Sequence, residues 1–200
     1  NLDYLEKIEE RFDLVDVRLH MNLFEASQAG ADYDLRTIFN DSLVQIKPDK
    51  AVTFVENHDT QRGQALESTV EEWFKPAAYA LILLREHGLP CVFYGDYYGI
   101  SGQYAQEDFK DVLDRLLAIR KDLAYGEQTD YFDDPNCIGW VRSGAKHQSP
   151  IAVLISNGQA NSKTMFVGQE WAGQSFVDLL GNHSDQVTIN AEGYGVFPVT

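Results

Sequence analysis

The chain has 200 residues, of which 44% are hydrophobic and 24% charged, the proportions of a folded protein rather than a disordered one. Its 16 Lys and Arg stand against 31 Asp and Glu, and the resulting net charge of −15 repels phosphate backbones and anionic lipid, which excludes nucleic acid and membrane surfaces as partners. No apolar run approaches the roughly 18 residues of a membrane span, and the two cysteines, Cys91 and Cys137, cannot build a disulfide framework.

In chain order, Phe12–His20 alternates polar and apolar residues and predicts a strand, with His20 at its end. Ala51–Val55 is a short β-prone run that ends in the polar cluster Glu56, Asn57, His58, Asp59, Thr60 and Gln61. Val70, Trp73, Phe74, Ala77, Ala78 and Leu81 then recur at three- and four-residue spacing, which predicts a helix over about 69–87. Ser68 with Glu71 fits a capping box at its start, and Gly88 with Pro90 fits its end. Cys91–Tyr94 predicts another buried strand and makes Cys91 an inert buried thiol. A second amphipathic helix follows over about 107–123, with Phe109, Val112, Leu113, Leu116, Leu117 and Leu123 on its apolar face. Apolar strands alternating with amphipathic helices describe a parallel α/β sheet.

From about Tyr131 the texture changes. Cys137–Arg142, Ile151–Ser156, Lys163–Val167, Ser175–Leu179, Val187–Ile189 and Gly195–Val199 are short and β-prone, with Ser143-Gly144, Asn157-Gly158, Ala172-Gly173, Gly181-Asn182 and Glu192-Gly193 between them. Asn157-Gly158 reads as a hairpin turn, and Asp130, Asp133 and Asp134 as a solvated turn. An antiparallel β-domain over residues 128–200 after an α/β region over 1–127 is the expectation.

Polar residues massed at the carboxyl end of a buried parallel strand mark the edge where α/β folds place their sites. The stretch AVTFVENHDTQRGQ, Ala51–Gln64, resembles a conserved segment of the α-amylase family, glycoside hydrolase family 13. The likeness continues through Ala65–Gly99, Ala124–Trp140 and the carboxyl-terminal strands, and so covers essentially the whole chain. The resemblance implies strands six to eight of a (β/α)8 TIM barrel followed by an antiparallel Greek-key β-sandwich. It implies retaining endo-hydrolysis of α-1,4-glucosidic bonds in starch, glycogen and maltodextrins. Asp59 matches the carboxylate that stabilises the transition state, and His58 the neighbouring sugar-binding histidine; Gln61 and His20 are further substrate-binding candidates. The nucleophile and general acid of that chemistry match nothing in residues 1–50, so the chain reads as a fragment, inactive by itself. A non-catalytic carbohydrate-binding or structural module is the alternative.

An α-glucan is the partner so implied, and the open edges of a partial barrel predict self-association. The family's calcium position between barrel and β-domain matches Ala31, Tyr33, Pro135, Asn136 and Asn157. Asn136 and Asn157 stand where aspartates are expected, so this calcium site is predicted to be weak or lost, with no tightly bound calcium there and no other metal or cofactor, calcium in the parent enzyme being the alternative. The asparagines and the sparse cysteines resemble intracellular members and point to the cytoplasm, with secretion as the alternative.

Overall fold

A computed structural model describes Leu5, Lys7 and residues 11–145 and 148–200. The chain divides into two compact units: Asn1–Ala29, Thr37–Leu83 and His87–Leu113 form one, and Gly30–Arg36, Leu84–Glu86 and Asp114–Thr200 the other.

The first unit holds a parallel sheet in the order β1 (Leu14–Val15), β2 (Ala51–Phe54) and β3 (Leu89–Cys91). The strand expected over Phe12–His20 is only two residues long, because Asp16 stops it. Its Oδ1 accepts the Leu19 N–H at 3.0 Å and so caps the helix α1 (Val17–Ala29). Leu19, Leu23 and Ala26, at helical spacing, are then fully buried. The same carboxylate accepts the Leu43 and Val44 N–H groups at 3.0 and 2.7 Å, tying the short helix α2 (Leu43–Ile46) to the start of α1.

The helix after β2 is α3 (Lys75–Leu83), shorter than the apolar spacing predicts. Ser68 does not cap it, since it lies seven residues before the helix begins and its hydroxyl is bound to His20. Phe74, Ala78 and Leu81 are buried as expected, but so are Lys75, Tyr79 and Ile82 on the adjacent side and Ala80 and Leu83 on the opposite one. α3 is thus enclosed all round. Gly88 closes the connection to β3 at φ +88°, where a Cβ would lie 2.8 Å from the Thr53 methyl. β3 is an edge strand, so Cys91 is exposed rather than a buried thiol. Tyr94 does not continue it but opens the five-residue helix α4 (Tyr94–Tyr98). α5 (Lys110–Asp122) follows, with Leu113 and Leu116 buried.

The second unit is antiparallel. β4 (Gln128–Asp134), β5 (Cys137–Arg142) and β6 (Ile151–Ser156) form one sheet; β7 (Asn161–Phe166) pairs with β10 (Tyr194–Val199), and β8 (Ser175–Phe176) with β9 (Val187–Thr188). Every residue of β5 is buried. Val141, Met165, Val167, Ile189 and Phe197 form a core shared by both larger sheets, with Leu154, Trp171 and Phe176 packed against it. The three aspartates expected in a turn belong to β4: Asp130 pairs bidentately with Arg85 at 2.8 Å, and Asp133 accepts from Lys163. Asn157-Gly158 closes no hairpin, because β6 and β7 pair with different strands. The tight turn is Pro135-Asn136, between Asp134 and its β5 partner Cys137. Among the described residues no helix is long and apolar enough to cross a membrane.

Candidate functional site

Parallel strands end on the same edge of a sheet, so the segments after β2 and β3 emerge on one side. β2 is the central strand and leads through buried Val55 and Glu56 into the polar cluster. There Asn57 shapes the backbone: its Oδ1 accepts the N–H groups of Asp59 at 2.8 Å and Thr60 at 3.0 Å, an Asx turn. His58 and Asp59 are thereby turned outward, with side chains 81% and 57% exposed. His58 Nε2 lies 3.4 Å from Asp59 Oδ1, and Gln61 Nε2 donates to the His58 carbonyl at 3.3 Å. The structure therefore gathers His58, Asp59 and Gln61 on one exposed turn. A carboxylate and an imidazole so placed can accept hydrogen bonds from ligand hydroxyls and stabilise positive charge.

His20 does not join them. It sits in the first turn of α1 rather than at a strand end, is 1% exposed, and stacks on Phe54 at 4.9 Å. Its Nδ1 lies 2.8 Å from the Val55 carbonyl and its Nε2 2.8 Å from the Ser68 hydroxyl. A carbonyl only accepts, so Nδ1 carries the hydrogen; in the neutral ring Nε2 is an acceptor and shares the one Ser68 hydroxyl hydrogen with the Leu66 carbonyl, which lies 3.0 Å from the Ser68 oxygen. Burial lowers the ring's pKa below its ordinary 6.5 and favours that neutral form. With both nitrogens engaged, His20 offers nothing to a substrate; it pins the end of β2.

Beneath the exposed turn lies an ionic network that the hydrophobic pattern hides. Lys75 and Asp96 are fully buried, and Lys75 Nζ donates to Asp96 Oδ1 at 2.5 Å. Gln106 Nε2 reaches the same oxygen at 2.7 Å, and Tyr79 OH donates to Asp96 Oδ2 at 2.5 Å. Burial, then the Asp96 charge, raise the Tyr79 pKa well above its usual value. Glu56 completes the set. Its Oε1 accepts the Thr60 hydroxyl at 2.6 Å, while its Oε2 is buried without a hydrogen-bond partner, 3.7 Å from Lys75 Nζ. Burial above all raises this carboxyl to about pKa 7. The one available signal was a lysine at i−4 from Tyr79 within an otherwise apolar helix.

After β3, Tyr94 and Tyr98 are 72% and 60% exposed, with ring centroids 4.7 Å apart. Such a pair offers apolar faces to a ligand as well as hydroxyl groups.

The positions expected for calcium lie within the second unit and carry the wrong chemistry for it. Asn157 Nδ2 donates to the Gly30 and Tyr33 carbonyls, both at 2.8 Å. Asn136 Nδ2 donates to the Ala31 carbonyl at 2.7 Å and to Asn157 Oδ1 at 3.0 Å. The carbonyls that a cation would need are thus occupied by amide N–H groups, and the carboxylate bonded to these residues, that of Asp134, is engaged by the Asn136 backbone N–H at 2.8 Å. These residues as they stand do not fit calcium. Among all the described residues, no cluster of three or more His, Cys, Asp or Glu could hold a metal.

Residues 151–200 match the family model described as alpha-amylase C-terminal. The chain is 50% identical over 199 residues to an alpha-amylase of Geobacillus stearothermophilus, covering 98% of this chain and 36% of that protein. It is 43% identical over 203 residues to the cytoplasmic alpha-amylase of Escherichia coli (strain K12), covering 97% of this chain and 41% of that protein. The chain thus spans about two fifths of the length of these curated relatives. A crystal structure of a variant of alpha-amylase I from Eisenia fetida, solved with maltohexaose, matches with a TM-score of 0.60 over 94% of this chain and 47% of that one, at 16% identity.

Proposed function

Because the chain belongs to the α-amylase family, as the carboxyl-terminal part of such a protein, we propose that Asp59 is the transition-state-stabilising carboxylate of a retaining enzyme that hydrolyses internal α-1,4 bonds of starch-like glucans. The observation that carries this reading is the exposed His58–Asp59 pair, 3.4 Å apart, on the turn that follows the central parallel strand.

In this reading the three parallel strands are the sixth to eighth of a (β/α)8 barrel, and residues 128–200 form a Greek-key β-domain. Glycosidic cleavage passes through a transition state with positive charge spread over the ring oxygen and the anomeric carbon. Asp59 faces that charge and accepts hydrogen bonds from ring hydroxyls, and His58 holds the same sugar through its imidazole nitrogens. Gln61 braces the turn by its bond to the His58 carbonyl. The exposed Tyr94 and Tyr98, on the same edge of the sheet, offer apolar faces to neighbouring glucose units. No calcium is held by Asn136 and Asn157. The cytoplasm is the location proposed, supported by likeness to the relative whose name carries that word.

The test uses the longer gene product, which on this reading also carries a nucleophile and a general acid. Asp59→Asn there keeps the size and removes the charge. It is expected to lower kcat on maltohexaose by about 100- to 1000-fold, the usual scale for losing one preorganised electrostatic contact, with little change in KM. An unchanged kcat would refute the assignment of Asp59.

A further inference from the structure

Glu56 is a buried ionisable group that the proposed chemistry does not use. It directly precedes the turn that carries His58 and Asp59, and two buried carboxylates, Glu56 and Asp96, face the single ammonium of Lys75. The division between them is unequal. Asp96 receives hydrogen bonds on both oxygens, from Lys75, Gln106 and Tyr79. Lys75 also donates to Gln106 Oε1 at 3.1 Å and lies 5.3 Å from the Phe109 ring centroid. What reaches Glu56 from Lys75, at 3.7 Å, is Coulomb attraction without a hydrogen bond. Its strong bond runs the other way, into the turn. The Thr60 hydroxyl donates to Glu56 Oε1 and accepts the Asn57 N–H at 3.0 Å, while the Asn57 side chain fixes the Asp59 and Thr60 amides.

We infer that Glu56 is a positioning residue: through the Thr60 hydroxyl and the Asn57 turn, its carboxylate sets the backbone that presents His58 and Asp59. The inference rests on the reading of Asp59 as the substrate-facing carboxylate. A hydroxyl donates a roughly twofold stronger bond to a carboxylate than to a neutral acid, so the turn is held more tightly when Glu56 is ionised. Burial and the Asp96 charge favour the protonated form of Glu56, while Thr60, Lys75 and the Val70 N–H favour the ionised one. They leave the carboxyl poised at about 7, where a modest change of pH moves it.

The experiment is a pH titration of the 15N-labelled chain, following the Asn57, Asp59 and Thr60 amides from about pH 5 to 9. The wild-type amides are expected to move together with an inflection near 7, and to show greater protection above it once the base-catalysed rise of intrinsic exchange is divided out. Glu56→Gln should abolish the inflection, and His58→Gln, which removes the neighbouring imidazole, should preserve it. Thr60→Val keeps Glu56 and deletes the link, so the Asp59 amide should cease to follow pH even where Glu56→Gln fails to fold. An inflection that is absent from the wild type, survives Glu56→Gln or Thr60→Val, or disappears in His58→Gln would overturn the inference. No glucan enters the titration, so its failure is distinguishable from failure of the proposed activity.

Discussion

Glu56 and Asp59 are three positions apart, yet one side chain is buried and the other lies largely in water. The buried one retains its proton near neutrality, and this has a signed consequence for stability. Its folded pKa of about 7 lies above the ordinary 4.5, so folding takes up a proton between those values. The associated stabilisation is complete below about pH 4.5 and is lost as pH rises towards 7, by up to about 3 kcal/mol. His20 works in the opposite sense, since its lowered pKa withdraws stability as pH falls below its ordinary 6.5. A second residue-scale consequence concerns the amide clamp on the Gly30, Ala31 and Tyr33 carbonyls. Replacing both amides, Asn136→Asp with Asn157→Asp, frees those carbonyls and supplies two charges. The melting temperature of the double variant should then rise in millimolar calcium relative to chelator, by a few degrees, with no such response in the wild type. A calcium response of the unaltered chain would refute the clamp. The exposed polar turn of His58 and Asp59 was legible as the end of a β-prone run, whereas the roles expected of those two residues and of Asn136 came only from the family resemblance. Lys75, Asp96 and Gln106 were not legible, because they meet only in the folded chain, 10 to 31 positions apart.

At the scale of elements, the junction between β1 and α1 is decided by one carboxylate. Asp16 is buried and accepts three backbone N–H groups, from Leu19, Leu43 and Val44. Asp16→Ala leaves all three without an acceptor, and at roughly 1 kcal/mol or more for each lost bond urea unfolding should show a loss of about 3 kcal/mol. A loss below about 1 kcal/mol would mean that the junction is held by packing alone. The alternation over Phe12–His20 could not reveal this, because the helix spacing Leu19, Leu23 and Ala26 starts inside the alternating run. A related conflict explains Asn157-Gly158. The dipeptide has the composition of a hairpin, but its asparagine is bound to the Gly30 and Tyr33 carbonyls, and the flanking strands pair elsewhere. β2 and β5 were legible for a simpler reason: each is a short β-prone run that ends up central in its sheet, where burial on both faces demands such residues.

At the scale of the whole molecule, the change of texture near residue 130 reflects a real change of construction, from parallel strands with helices to antiparallel strands alone. The contact-based units are nevertheless interleaved in sequence, since Gly30–Arg36 and Leu84–Glu86 belong with the later strands. Local pattern cannot show this, because it arises from bonds such as Leu35 N–H to the Pro135 carbonyl at 2.8 Å, across a hundred positions. We propose that the turn after β2 is where this chain meets an α-glucan. The most direct measurement is a maltohexaose titration of the 15N-labelled 200-residue chain, mapping which amides shift. Perturbations centred on His58, Asp59 and Gln61 and lost in Asp59→Asn are expected; perturbations confined to residues 151–200, or none at saturating sugar, would overturn the proposal.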